Sequence, residues 1–198
     1  MKTISRFQRS MLVAITLAGL LSACDSSTAT ETSPTTSTPA APSPAAVPPT
    51  ADARPPTLAK TQGWLQIFSG IAPAGAVHVQ LAVTSNPDIG QYVSDGSGRS
   101  LYRFDKDTNT PPTSTCTGQC AATWPPLTVA RGQSVFAAGV DPQLVGFIER
   151  GDGSCQITIG GWPVYYFSKD KTPGDLLGQG VGGTWFAVTP TGGKALRK

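Results

Sequence analysis

From Val77 to Val83 every second residue is apolar, with Val77, Val79, Leu81 and Val83 on one side and His78, Gln80, Ala82 and Thr84 on the other. A period of two is the signature of a half-buried strand. Shorter runs with the same character predict strands over Gln91–Ser94, Ser100–Phe104, Gly146–Arg150, Cys155–Ile159, Pro163–Phe167 and Thr184–Thr189. Asn86-Pro87, Asp95-Gly96, Gly151-Asp152-Gly153 and Gly160-Gly161 fall between these runs and mark turns. One short helix is signalled, with Asp141 as its N-cap, Pro142 at its first position and its end before Gly146. The expected fold is all-β: an antiparallel sheet domain over residues 61–198 with one short helix.

The domain also resembles itself. Leu101-Tyr102-Arg103-Phe104-Asp105-Lys106-Asp107 aligns with Val164-Tyr165-Tyr166-Phe167-Ser168-Lys169-Asp170, and each segment is followed by a tryptophan, Trp124 or Trp185. Two degenerate repeats, about 82–130 and 146–190, are therefore expected to form a pseudo-symmetric unit. Tyr102, Phe104, Tyr165 and Phe167 take equivalent strand positions, where their area is worth most in a core.

Upstream, the pattern changes twice. Asp25 to Lys60 is 36 residues holding 8 Pro, 13 Ser or Thr and 8 Ala, with no aromatic residue. Such a composition buries too little apolar surface to offset the entropy of ordering, so residues 24–60 read as a disordered linker. Before it, Lys2, Arg6 and Arg9 precede an 11-residue apolar stretch, Met11 to Leu21. That run falls short of the roughly 20 residues a spanning helix needs and has the layout of a signal peptide, residues 1–23. Its last residues, Leu21-Ser22-Ala23-Cys24, resemble a bacterial lipobox. The resemblance implies cleavage before Cys24, acylation of that cysteine, and an extracytoplasmic protein of the bacterial cell envelope held to a membrane by its lipid. Loss of the signal would also remove three basic residues and leave twelve Lys and Arg against twelve Asp and Glu. A neutral chain offers no electrostatic case for nucleic acid.

A second resemblance rests on GRSLYRFDKDT, CTGQCAATWPPL, RGDGSCQITIGGWPVYYFSKD and PGDLLGQGVGGTW. In this order and spacing they resemble the secreted repeat of unknown function, also called the lipoprotein-15 repeat family, from about Ala82 to Pro190. The resemblance implies export and paired repeats, and it carries no assigned activity. Cys155 departs from it, at a place where that pattern more often has Thr or another small residue.

Candidate chemistry is sparse. Cys116 and Cys120 lie four apart in the first repeat, where the second has Leu177 and Val181. Outside the cytoplasm such neighbours read as a structural disulfide, with a redox-active dithiol as the alternative. Cys155 alternates in phase with Ile157 and Ile159 and is expected to point inward as an inert thiol. His78, on the polar face of its strand, reads as a surface residue. With one His and no Met after cleavage, the chain is expected to hold no metal and no cofactor. Asp105, Asp107 and Asn109 begin like a calcium loop, but Thr110 and Cys116 stand where an EF-hand needs Gly and Glu. No G-x-S-x-G elbow, zincin helix, P-loop or dinucleotide fingerprint is present, so no catalytic residue is assigned.

These readings converge on a lipid-anchored envelope protein with a non-catalytic repeat domain, binding or structural. Its expected partners are the membrane, through the anchor, and a cell-wall polymer or another envelope protein, with Trp124, Trp162 and Trp185 as candidate stacking surfaces. The alternative is an extracytoplasmic thiol-disulfide redox protein using Cys116 and Cys120.

Overall fold

The computed structural model describes residues 55–198. The signal peptide, Cys24 and most of the linker lie outside the described residues. The chain runs through β1 (Thr57–Gln62), β2 (Leu65–Ser69), β3 (His78–Asn86), β4 (Gly90–Asp95), β5 (Tyr102–Phe104), β6 (Thr108–Asn109) and β7 (Pro112–Thr113). It continues through the short helix α1 (Gln119–Thr123), β8 (Ser134–Ala138), β9 (Val145–Glu149), β10 (Cys155–Ile159), β11 (Trp162–Pro163) and β12 (Trp185–Ala187).

Strand β3 follows the predicted alternation, with Val79 and Leu81 buried and His78 and Gln80 partly exposed. Val77 escapes it, lying outside the strand and 72% exposed, and Val83 is only partly buried, as Ala82 and Thr84 are. Strand β10 occupies Cys155–Ile159 as predicted. The predicted helix is a single 3-10 turn, Pro142–Leu144, in which the Asp141 carboxylate accepts from the Gln143 amide. Of the expected strand Pro163–Phe167, β11 covers only the first residue, and Tyr165 joins by isolated bridges.

The five-stranded sheet has the order β1-β2-β8-β3-β4. It is mixed: β8 runs parallel to both β2 and β3, whereas the other pairs in it are antiparallel. Strand β1 also moves the start of the domain. Thr57–Lys60, read as linker from composition, pair with Phe68, Ser69 and Ile67 across a bulge. The segment has little apolar character of its own, and the neighbouring strand supplies its order.

The side chains of β1 then reach the open edge of β9. The Gln62 amide donates to the Phe147 carbonyl at 3.2 Å and accepts from the Phe147 N–H at 3.1 Å, while Lys60 Nζ reaches the Val145 carbonyl at 2.8 Å. These contacts satisfy backbone groups that an exposed strand edge leaves open. Strands β9, β10 and β11 form a second sheet. Its Val145, Ile157 and Ile159 pack with Leu65, Ile67, Val79, Leu81 and Val135 of the first in one apolar cluster.

Candidate functional site

The repeat motif builds the second buried cluster, and there the two copies exchange partners. Tyr102 and Tyr165 meet in an antiparallel bridge, each N–H donating to the other's carbonyl at 2.8 and 2.9 Å. On either side the same bonds occur twice. Asp105 N–H donates to the Thr184 carbonyl at 2.8 Å, and Ser168 N–H donates to Thr123 at 2.9 Å. Val188 N–H donates to Leu101, and Leu127 N–H to Val164, both at 3.0 Å. In each case the tryptophan segment of one repeat lies against the Tyr-x-Phe segment of the other.

The side chains follow the same rule. Phe104 stacks on Trp185 at 4.1 Å, Trp185 on Trp124 at 3.9 Å, and Trp124 on Phe167 at 4.2 Å. The result is one column of four rings, alternating first, second, first and second repeat. Tyr102 and Tyr165 meet Trp124 and Trp185 edge-on, an arrangement aromatic quadrupoles favour. Trp124 and Trp185 are about 95% buried with both faces occupied, so the expected stacking surfaces for a ligand do not exist at these positions. Trp162 is half-buried, and the Arg103 guanidinium covers one face at 3.3 Å from the ring centre.

Hydroxyls and carboxylates complete the exchange. Tyr102 Oη donates to Asp170 Oδ2 at 2.7 Å, and Tyr165 Oη donates to Asp107 Oδ2 at 2.5 Å. Asp107 also accepts from the backbone and side chain of Thr115, and Asp170 from the Leu177 amide. Burial pushes both carboxyls above the ordinary carboxylate range, against donors that favour the ionised form. Burial, reinforced by the facing carboxylates, raises the two phenols as well. In the sequence, Asp107 and Asp170 look like turn residues. Their five-residue offset from the tyrosines is visible there, but not which copy each serves. Gly178 is held to the same cluster by space: a Cβ there would sit 2.8 Å from the Tyr102 ring and 2.9 Å from Trp124.

Cys116 and Cys120 form a disulfide with Cα atoms 5.3 Å apart. Cys116 is fully buried and Cys120 partly so. Beside them lies a groove of about 590 Å³, walled by Thr113, Ser114 and Thr117 on one side and by Glu149 and Asp152 on the other. Arg150 underlies it and was not signalled by the sequence. Its Nη1 donates to Ser114 Oγ at 2.7 Å and to Gln156 Oε1 at 2.6 Å, and its Nη2 donates to the Cys116 carbonyl at 2.7 Å. Arg150 thereby ties the disulfide loop of the first repeat to a strand of the second.

Cys155 packs against the first apolar cluster at the start of β10, but it is only half-buried, because it is the end residue of its strand. Among the described residues it is the unpaired cysteine. His78 is partly exposed, hydrogen-bonded through Nδ1 to the Ala76 carbonyl and edge-on to Phe136. No group of three or more His, Cys, Asp or Glu is placed to hold a metal among the described residues.

Residues 83–128 and 146–189 each match the family described as secreted repeat of unknown function. The chain belongs to this secreted-repeat family. Both matched segments end just beyond the tryptophans of the ring column, so the repeat recognised in the sequence is the unit that exchanges partners in the fold. Membership implies an extracytoplasmic location. No curated protein and no solved structure matches the chain.

Proposed function

We propose that this secreted-repeat protein is a lipid-anchored, non-catalytic binding module of the bacterial cell envelope, attached through Cys24 and recognising a cell-wall polymer or another envelope protein. One observation carries the binding role: the polar and aromatic residues of the repeat motif are consumed in joining the copies, and among the concave surfaces left open is the groove beside Cys116–Cys120, which borders the disulfide present in one copy alone. Its hydroxyl and carboxylate lining, Thr113, Ser114, Thr117, Glu149 and Asp152, suits a polyhydroxylated or amine-bearing polymer. The lipobox-like Leu21-Ser22-Ala23-Cys24 supports the anchor. Full burial of Cys116 favours a staple over the redox alternative, since it restricts exchange to attack at the partly buried Cys120.

The test has two arms on the full chain. Metabolic labelling with a clickable palmitate analogue should mark wild type and leave Cys24→Ser unmarked. Detergent-extracted protein should be retained by purified wall polymer, and Glu149→Gln with Asp152→Asn should reduce retention several-fold. Unmarked wild type refutes the anchor. Retention unaffected by the double substitution refutes the groove.

A further inference from the structure

The outer face of the five-stranded sheet is unusual in charge. Leu65 to Asn86, which spans β2, the crossover to β3 and β3 itself, contains no Asp, Glu, Lys or Arg, and neither does β8 between them. The inner side chains of these strands enter the apolar cluster, so the outer row is Phe68, Phe136 and Gln80, aligned by register. Phe68 and Phe136 stack at 4.9 Å. The crossover Gly70–Val77 lies along this row, held by Gln80, whose amide donates to the Gly70 carbonyl and accepts from the Ala72 N–H. It presents Ile71 at 44% exposure and Val77 at 72%, and Leu58, which pairs with Phe68 from β1, is 49% exposed. Three of the six large exposed hydrophobic residues among the described residues thus share one uncharged face.

The position of β1 says what this face meets. It is the edge strand of the same sheet and the first element of the described chain, so the segment leading back to Cys24 leaves from the border of the uncharged face. Thr57 is 33 positions from Cys24. A flexible chain of that length averages roughly 30 Å end to end. Tethering over such a span raises the effective concentration of a surface to about the millimolar range, which populates a contact too weak to form in solution. Burying exposed Leu, Ile and Val side chains at a bilayer boundary is favourable, and here no charge has to be desolvated with them.

We infer that the Leu58–Ile71–Val77 face docks on the bilayer that carries the anchor, setting the domain with this sheet toward the lipid. The inference rests on the proposed acylation of Cys24. Docking would hold the second sheet, with Glu149, Arg150 and the groove, on the far side of the core.

The experiment uses the full acylated chain, reconstituted into phosphatidylcholine–phosphatidylglycerol vesicles containing doxyl-labelled lipid. In a Cys155→Ser background, an environment-sensitive fluorophore is placed on Val77→Cys or, as the control, on Glu149→Cys. Both positions are exposed, so neither label disturbs the core. Mass spectrometry of the N-terminal peptide reports acylation in the same samples. Acylated protein whose Val77 probe is quenched by lipid several-fold more than its Glu149 probe supports docking, and Ile71→Asp should abolish the difference. Acylated protein with equal quenching at both positions overturns docking and leaves the anchor standing. Protein with an unmodified Cys24 overturns the anchor, and the docking inference falls with it. A Val77 probe insensitive to lipid but self-quenched as protein density rises assigns the face to a second copy of the chain and likewise overturns docking.

Discussion

At the scale of single residues, Asp107 and Asp170 define the chemistry of the join. Both carboxyls hold their protons more tightly folded than unfolded, because burial outweighs the hydroxyl and amide donors around them. A carboxyl raised in this way contributes stability that is complete below its unfolded value, near 3.8, and is lost as pH rises through the folded value. Comparison of wild type with an Asp107→Asn, Asp170→Asn variant isolates the effect, since Asn keeps an acceptor but does not titrate. The stability difference, wild type minus variant, should shrink as pH rises from about 4. Urea denaturation across that range measures it, and a difference that grows with pH would show that the donors win. The tyrosines were legible in sequence as core residues because they sit in strand-like runs with apolar neighbours. The carboxylates were not, because an Asp after a strand is common turn chemistry and its partner lies 68 or 58 positions away.

At the scale of elements, the ring column replaces the sheet continuity that β5 and β12, three residues each, are too short to provide. Trp185→Ala should cost about 3–5 kcal/mol, within the range for a large aromatic removed from a core. The disulfide is a smaller contribution. Closing a five-residue loop is worth about 2 kcal/mol in the chain-entropy estimate, and Cys116→Ser with Cys120→Ser should lower the stability by that amount with the denaturant slope unchanged. Chemical denaturation followed by tryptophan fluorescence checks both substitutions. A Cys pair whose removal leaves stability untouched would argue against a staple. Strands β3, β4, β9 and β10 could be read from alternation and turn residues. Strands β1, β2 and β8 could not. Thr57–Gln62 has almost no buried side chain, and in Leu65–Ser69 and Ser134–Ala138 the outward Phe68 and Phe136 are apolar as well, so no alternation stands out. Their order comes from pairing, a tertiary effect that overrides weak local preference.

For the folded region as a whole, exchange makes the repeats interdependent. Each tryptophan segment completes the other copy, so neither repeat carries its own finished core. Hydrogen exchange should therefore show the amides of Val93 and Leu101 in the first repeat and of Ile157 and Val164 in the second opening with one common free energy. Trp185→Ala should lower the protection of all four together. Loss of protection confined to the second repeat would mean that the copies are separable. Two aligned segments foretold a pseudo-symmetric domain. Whether the copies lie side by side or trade segments was hidden, because both arrangements satisfy the same spacings of Tyr, Phe, Asp and Trp.

The partner exchange between repeats also decides where variation is tolerated. Tyr102 answers to Asp170, Phe104 to Trp185, and the reverse set to the other copy, so a change in one half must be met by a change in the other. Away from the column the copies already differ, with Cys116–Cys120 in one and the glycine-rich run ending at Gly183 in the other, and even there Gly178 and the Cys116 carbonyl are held by the opposite copy. The Tyr, Phe, Asp and Trp letters shared by the two copies are thus their fastening, and what makes the copies unlike is written between those letters.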